Sequence, residues 1–179
     1  MFQISRDTPA YFLTSVTHDR LPIFQTDKLK QVVCDAFNEA RKSGGFSIFA
    51  YAIMPDHTHL LTDSKREIKD VLRFLNGISA RRVINYLNEH GHQTSLDKLR
   101  IAKRKDEKKY SVYQHHPNAL RVTGEEAFMQ KVSYIHLNPV KDRLVEHPND
   151  YLYSSARLWN ASALENEPLI TDHQEISWR

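Results

Sequence analysis

Residues 51–61 read YAIMPDHTHLL, and the rest of the chain takes its reading from them. An apolar run enters a Pro55-Asp56 turn and resumes as HTHLLT, which predicts two short strands running antiparallel. Side chains alternate between the two faces of a strand. His57, His59 and Leu61 therefore share one face, while Thr58 and Leu60 look the other way. Two imidazoles about 6–7 Å apart along one strand face can grip a metal ion, or they can be plain surface histidines. Which of these holds depends on what the chain brings to that face.

Upstream, YFLTSVT (11–17) is rich in aromatic and β-branched residues and reads as a first strand. Asp27–Lys42 places Leu29, Val32, Val33, Ala36, Phe37 and Ala40 at helical spacing, with Thr26 or Asp27 as cap and Gly44-Gly45 as stop. Phe46–Met54 is an apolar run suited to a buried strand. Downstream, Glu67–Leu87 repeats Ile68, Val71, Leu72, Leu75, Ile78, Val83, Ile84 and Leu87 as a second amphipathic helix. Ser111–Gln114 fits an edge strand. Thr123 is the expected cap of a third helix, with Phe128, Val132 and Ile135 as its buried stripe and Pro139 as its end. The order β-α-β-β-α-β plus one helix implies an α+β, ferredoxin-like antiparallel sheet with two helices on one face. The extra helix then packs across the open face or at an edge.

The chain has 179 residues and is 40% hydrophobic, which suits one domain, expected over 1–160 with 161–179 as a tail. That tail is expected either to be disordered or to dock over the site. A single cysteine, Cys34, rules out an internal disulfide. Neither a signal-like segment nor a membrane-spanning run is apparent, so a cytoplasmic setting and no membrane partner are expected. The net charge of +3 hides an uneven distribution. Residues 98–109, KLRIAKRKDEKK, hold seven basic and two acidic side chains, a local +5, leaving the rest, 18 basic against 20 acidic, at −2. Lys98, Arg100, Lys103, Arg104, Lys105, Lys108 and Lys109 form a basic patch of the kind that meets a polyanion, or else a solvated loop. Arg81 and Arg82 on the second helix would extend it, and His115 and His116 would be loop or DNA-contacting residues.

The third helix contains KVSYIHLNP, residues 131–139. Tyr134 and Asn138 are four apart and share a face with Lys131, beside the buried stripe. Together with His57 and His59 they would set a phenol beside a three-ligand metal site (His57, His59, Asn138). Lys131 could hold a phosphate or favour the phenolate. Taken singly, each piece has a plain reading. His90-Gly91-His92 has the same spacing as His57–His59 and reads as an exposed loop, and His136 points away from the face of Tyr134 and reads as structural.

The stretches MPDHTHLL, VYQHH and YIHLNPVKDRLVEHPNDYLYSSA resemble the REP-associated tyrosine transposases, single-tyrosine HUH transposases related to the smallest insertion-sequence enzymes. The resemblance runs from about Ala10 to Ala156. It implies His57 and His59 as the histidine pair, Tyr134 as nucleophile, Asn138 as third ligand, and Mg²⁺ or Mn²⁺ as the ion. It also implies a partner, single-stranded DNA with a hairpin, that is cut and rejoined through a 5′-phosphotyrosine by a monomer or homodimer. Two departures stand out. Thr58 replaces the usual bulky apolar residue between the histidines, and DYLYSS lies where relatives often carry a tryptophan. The alternatives are a hairpin DNA- or RNA-binding protein that does not cut, and a metallohydrolase that uses water as nucleophile.

Overall fold

The computed structural model describes residues 1–101 and 109–178. β1 (Ala10–Val16) leads to α1 (Asp27–Gly44), then to β2 (Ile48–Ile53) and β3 (His57–Thr62). α2 (Ile68–Glu89) and a short α3 (Gln93–Leu99) follow, then β4 (Asn118–Val122) and α4 (Glu125–Lys141). The sheet order is β2-β3-β1-β4 and every neighbouring pair is antiparallel, as the ferredoxin-like expectation requires.

Strand alternation sorts the core into two layers. Tyr11 and Leu13 of β1, Leu60 of β3, and Ile48, Tyr51 and Ile53 of β2 pack against the buried stripes of α1 and α2. Phe12, Leu61, Ala50 and Ala52 face the opposite way, onto Phe128, Val132 and Ile135 of α4. The extra helix thus covers the open face. A bulge in β2 between Ile48 and Ala50 puts Phe49 and Ala50 on the α4 side together. One inserted residue, left out of the ladder, lets two consecutive side chains serve the same layer.

Local signals explain most boundaries. The Thr26 hydroxyl accepts a hydrogen bond from the Leu29 amide at the start of α1. Gly45 ends that helix at φ 65°, a left-handed conformation that costs glycine little. At α4 the expectations need correcting. Its N-cap is Gly124, not Thr123, and Pro139 lies inside the helix rather than at its end. A proline in the last turn removes one amide bond without breaking the helix. Termination falls to Arg143 at φ 57°, with the Leu144 amide bonded to Pro139 O (2.9 Å) and the Arg143 amide to Val140 O (3.0 Å). That double closure is the Schellman arrangement.

The fourth strand also differs from the expected Ser111–Gln114. That segment makes only an isolated bridge, Tyr113 to Thr17, before Asn118–Val122 takes up the ladder with β1. Both pieces follow the same edge of β1, and His115-His116-Pro117 intervene between them. A proline lacks the amide a continuous ladder needs.

The free edge of β2 is covered by later chain. Ile53 N donates to Tyr153 O, Ser155 N to Tyr51 O and Asp172 N to Ile48 O. The DYLYSS segment thus serves as an edge cover. The boundary expected at 160 falls within packed structure: Ile176 pairs with Phe2, and Leu169 and Ile176 are buried. Arg157 grips Glu167 through two bonds of 2.8 and 2.7 Å and donates to three backbone carbonyls as well. Both side chains are enclosed (6% and 0% exposed), so neither charge has water to turn to if the other is lost. No helix is long and apolar enough to cross a membrane among the described residues.

Two predictions follow from this packing. Glu167→Ala should lower unfolding free energy by about 3 kcal/mol in chemical denaturation, because it strands a buried guanidinium; a loss under about 1 kcal/mol would show that the clamp does not hold the tail. Thr58 is fully buried and its hydroxyl lacks a partner among the described residues. Thr58→Val should therefore raise stability by about 1 kcal/mol, and a destabilised variant would contradict this.

Candidate functional site

The register between β1 and β3 sets Thr14 beside His59 and Val16 beside His57. Both histidines emerge on the α4 side, at the end of the strands where α4 runs past. There Thr14, Val16, Arg20, Asp56, His57, His59, Tyr134, Asn138 and Asp142 line an open cleft of about 330 Å³. The four residues singled out from sequence as ligands and nucleophile are thus brought to one place.

His59 is boxed in. Phe12 stacks parallel to it at 5.7 Å, Tyr134 meets it edge-on at 5.3 Å, and His57 meets it edge-on at 4.8 Å. Its Nδ1 shares a 2.9 Å hydrogen bond with the Thr14 hydroxyl. Its Nε2 is buried and lacks a partner among the described residues. Burial, the nearby His57 and the Lys131 ammonium, opposed by Asp56, push its pKa down to about 3. A neutral imidazole with an idle, enclosed nitrogen is a ready metal ligand.

His57 sits between two oxygens. Asp56 Oδ1 lies 2.6 Å from its Nδ1 and Asn138 Oδ1 3.1 Å from its Nε2. Burial alone would raise the Asp56 carboxyl, but the hydrogen bonds and charges of His57 and Arg20 outweigh it and hold the group below its ordinary value. Two ligands at right angles around an ion at about 2.1 Å stand about 3 Å apart. The His57–Asn138 separation matches that spacing. The residues present therefore fit a divalent ion: His57 Nε2, His59 Nε2 and Asn138 Oδ1 would hold it. No cluster of three or more His, Cys, Asp or Glu side chains suited to a metal occurs among the described residues, and the third donor of such a set would be the Asn138 amide oxygen.

Tyr134 is 38% exposed, open to solvent on one side and to the cleft on the other. Two ammoniums flank its ring: Lys141 Nζ at 4.8 Å and Lys131 Nζ at 5.8 Å from the centroid, with Lys131 also 4.7 Å over Phe12. Cations here suit a phenolate or a phosphate group.

The proposed nucleic-acid residues are scattered. Arg81 and Arg82 lie on the α1/α2 side, the opposite face of the sheet, where Arg82 forms a two-bond pair with Glu39 (2.8 and 2.9 Å) and Arg81 approaches the same carboxylate at 3.7 Å. The structure does not bring them to the cleft. Lys98 is exposed on α3, Arg100 pairs with Tyr110, and Ile101 N donates to Lys109 O, so the chain enters and leaves the basic segment at one point. Lys103, Arg104, Lys105 and Lys108 lie outside the described residues. From Lys109 the chain reaches the site edge within a few residues, where Gln114 N bonds to Val16 O. His115 and His116 follow, both exposed, and neither lines the cleft. His136 is buried and bonded to Ser155 Oγ at 2.8 Å, a structural role. His90 and His92 are exposed, as expected, and stack beside Tyr86. Thr58 faces α1 and α2, away from the cleft.

Sequence reasoning missed Thr14, Arg20, Asp56, Asp142 and Lys141. Lys141 carried a signal, since it lies seven residues after Tyr134, two turns along one helix face. Asp56 directly precedes His57. Thr14 and Arg20 become visible only once β1 and β3 are in register.

A search of curated proteins found no match. Among solved structures, the fold is similar to a REP-associated tyrosine transposase bound to a REP hairpin, at 16% identity over 92% of this chain and 87% of that one, with a TM-score of 0.63. It is also similar to a presumptive transposase from Deinococcus radiodurans R1, at 23% identity over 72% of this chain and 88% of that one, with a TM-score of 0.51. A family model described as IS200-like transposase matches residues 8–99, a span that runs from β1 through α3 and includes both cleft histidines. With over half its length matched by that model, the chain belongs to the IS200-like transposase family.

Proposed function

We propose that this transposase cuts and rejoins single-stranded DNA beside a hairpin, with Tyr134 as nucleophile and a divalent ion, Mg²⁺ or Mn²⁺, held by His57, His59 and Asn138. One observation carries this reading: a partly exposed phenol, flanked by Lys131 and Lys141, borders the enclosed His59 in the cleft that also holds His57 and Asn138. The hairpin in the similar solved structure supports the choice of DNA form.

The chemistry needs little beyond positioning and charge. The Tyr134 oxygen loses its proton and attacks the scissile phosphorus. A tyrosyl–phosphate bond forms as the bond to the 3′-oxygen breaks, and that oxygen takes up a proton to become a 3′-hydroxyl. Bond energy is conserved, so a second 3′-hydroxyl can attack the phosphotyrosine and restore the phenol without a nucleotide cofactor. A bound divalent ion would polarise the phosphate and offset its developing charge. Lys131 and Lys141 would steady the phenolate and the non-bridging oxygens. The basic segment, from whose downstream end the chain runs on to the Gln114–Val16 contact at the cleft rim, would draw in the strand by counterion release.

The test uses a single-stranded hairpin oligonucleotide with Mg²⁺ or Mn²⁺. The expected product is a protein–DNA adduct, lost on chelation and absent in Tyr134→Phe, with hairpin affinity retained. Asn138→Ala should slow adduct formation by tenfold or more. An adduct formed by Tyr134→Phe would overturn the assignment of the nucleophile, and salt-sensitive binding with no cleavage of any hairpin would favour a non-cutting binder.

A further inference from the structure

Asp56 belongs to no ligand set, yet both of its carboxylate oxygens are engaged by neighbouring side chains. Oδ1 meets His57 Nδ1 at 2.6 Å and Oδ2 meets Arg20 Nη1 at 3.1 Å. Each oxygen is thus turned to a neighbouring side chain, which gives the carboxylate an orienting contact on His57. Its backbone is pinned too: Asp56 O accepts from Thr17 N (2.8 Å), with the Thr17 hydroxyl shared between Leu21 O (2.7 Å) and Asp56 O (2.9 Å), and Pro55 O accepts from Phe24 N (2.9 Å). Arg20 reaches Asp56 from a strained turn. Asp19 and Arg20 are consecutive non-glycine residues at φ 51° and 54°, a left-handed pair that costs of order 1 kcal/mol each. Such strain persists where surrounding contacts hold it, and here it aims a guanidinium at one carboxylate.

We infer that Asp56, held by Arg20, is a positioning residue: it keeps the proton of His57 on Nδ1 and turns Nε2 toward Asn138 and the cation position. This deepens the proposed metal-dependent reading and rests on it. The chemistry is that of a carboxylate behind a metal-bound imidazole, which fixes the ring and raises its basicity. Thr14 plays the matching part for His59. Its hydroxyl meets Nδ1 at 2.9 Å, leaving Nε2 as the free nitrogen. The pair would thus present Nε2 from both rings, and each Nδ1 would have its own partner on the protein.

Two readouts separate this inference from the reading it rests on. The first needs no metal. Proton–nitrogen NMR of ¹⁵N-histidine protein should show a low-field proton on His57 Nδ1, as a short hydrogen bond to a carboxylate gives. That signal should vanish in Asp56→Ala and weaken in Arg20→Gln. The second is Mn²⁺ affinity, read from the EPR signal of the free ion. Asp56→Ala should weaken it roughly ten- to a hundredfold, and Asp56→Asn, whose amide oxygen still accepts from Nδ1, should recover part of the loss. If Asp56→Ala does not fold, Asp56→Asn and Arg20→Gln carry the comparison, each expected to bind Mn²⁺ more weakly than the parent. An unchanged Nδ1 proton, or unchanged Mn²⁺ affinity in folded variants, would overturn the positioning role. Failure of the parent protein to bind Mn²⁺, or unchanged affinity in His57→Ala, would instead overturn the metal reading and this inference with it.

Discussion

The antiparallel register of β1 against β3 is the constraint from which the cleft follows. Pairing Thr14 with His59 and Val16 with His57 puts two imidazoles on the face that α4 covers, and places a hydroxyl within reach of one of them. A slip of one residue would turn both histidines toward α1 and α2 and bring Thr58 and Leu60 to the cleft. The slip is opposed by Leu13 and Leu60 packing into one layer and Phe12 and Leu61 into the other. Hydrophobic burial at the strand centres therefore fixes polar geometry at the strand ends.

α4 completes the arrangement by dividing its surface. Phe128, Val132 and Ile135 anchor it to the sheet, while Tyr134 and Asn138 lie on the flank that borders the cleft. Because the anchor is buried and apolar, the helix can carry an exposed phenol without loss of position. Carrying the helix past Pro139, to a left-handed stop at Arg143, keeps Asn138 in helical geometry and in reach of His57. The cations that flank Tyr134 sit on the same helix, so phenol and ammoniums are placed as one unit.

Much of this was legible in the residues, for identifiable reasons. Period-two and period-3.6 patterns marked the two long helices, the central strands and the facing of His57 and His59, because each pattern answers to a buried layer. Local rules failed where tertiary contact overrode them. Pro139 reads as a stop, yet it is accommodated in a final turn closed by other bonds. Asn118–Val122 carries little apolar signal because it is an edge strand and Ala119, Leu120 and Arg121 are not buried. The tail from Ala161 is polar and its sequence leaves open disorder or docking over the site, whereas Glu167, Leu169 and Asp172 each find a specific partner across the fold. Arg81 and Arg82 look like a basic surface in sequence, and only the fold reveals Glu39 beside them.

The site joins opposite electrostatic needs within a few ångströms. Burial keeps His59 neutral and available, Asp56 holds His57 from behind, and Lys131 and Lys141 set positive charge beside the phenol. The most direct measurement is anomalous diffraction from crystals of the protein grown with Mn²⁺. The account predicts a single cleft peak bounded by Nε2 of His57, Nε2 of His59 and the Asn138 side chain, with the Tyr134 hydroxyl facing it. A peak held by other residues, or none in the cleft with Tyr134 turned away from the histidines, would contradict it.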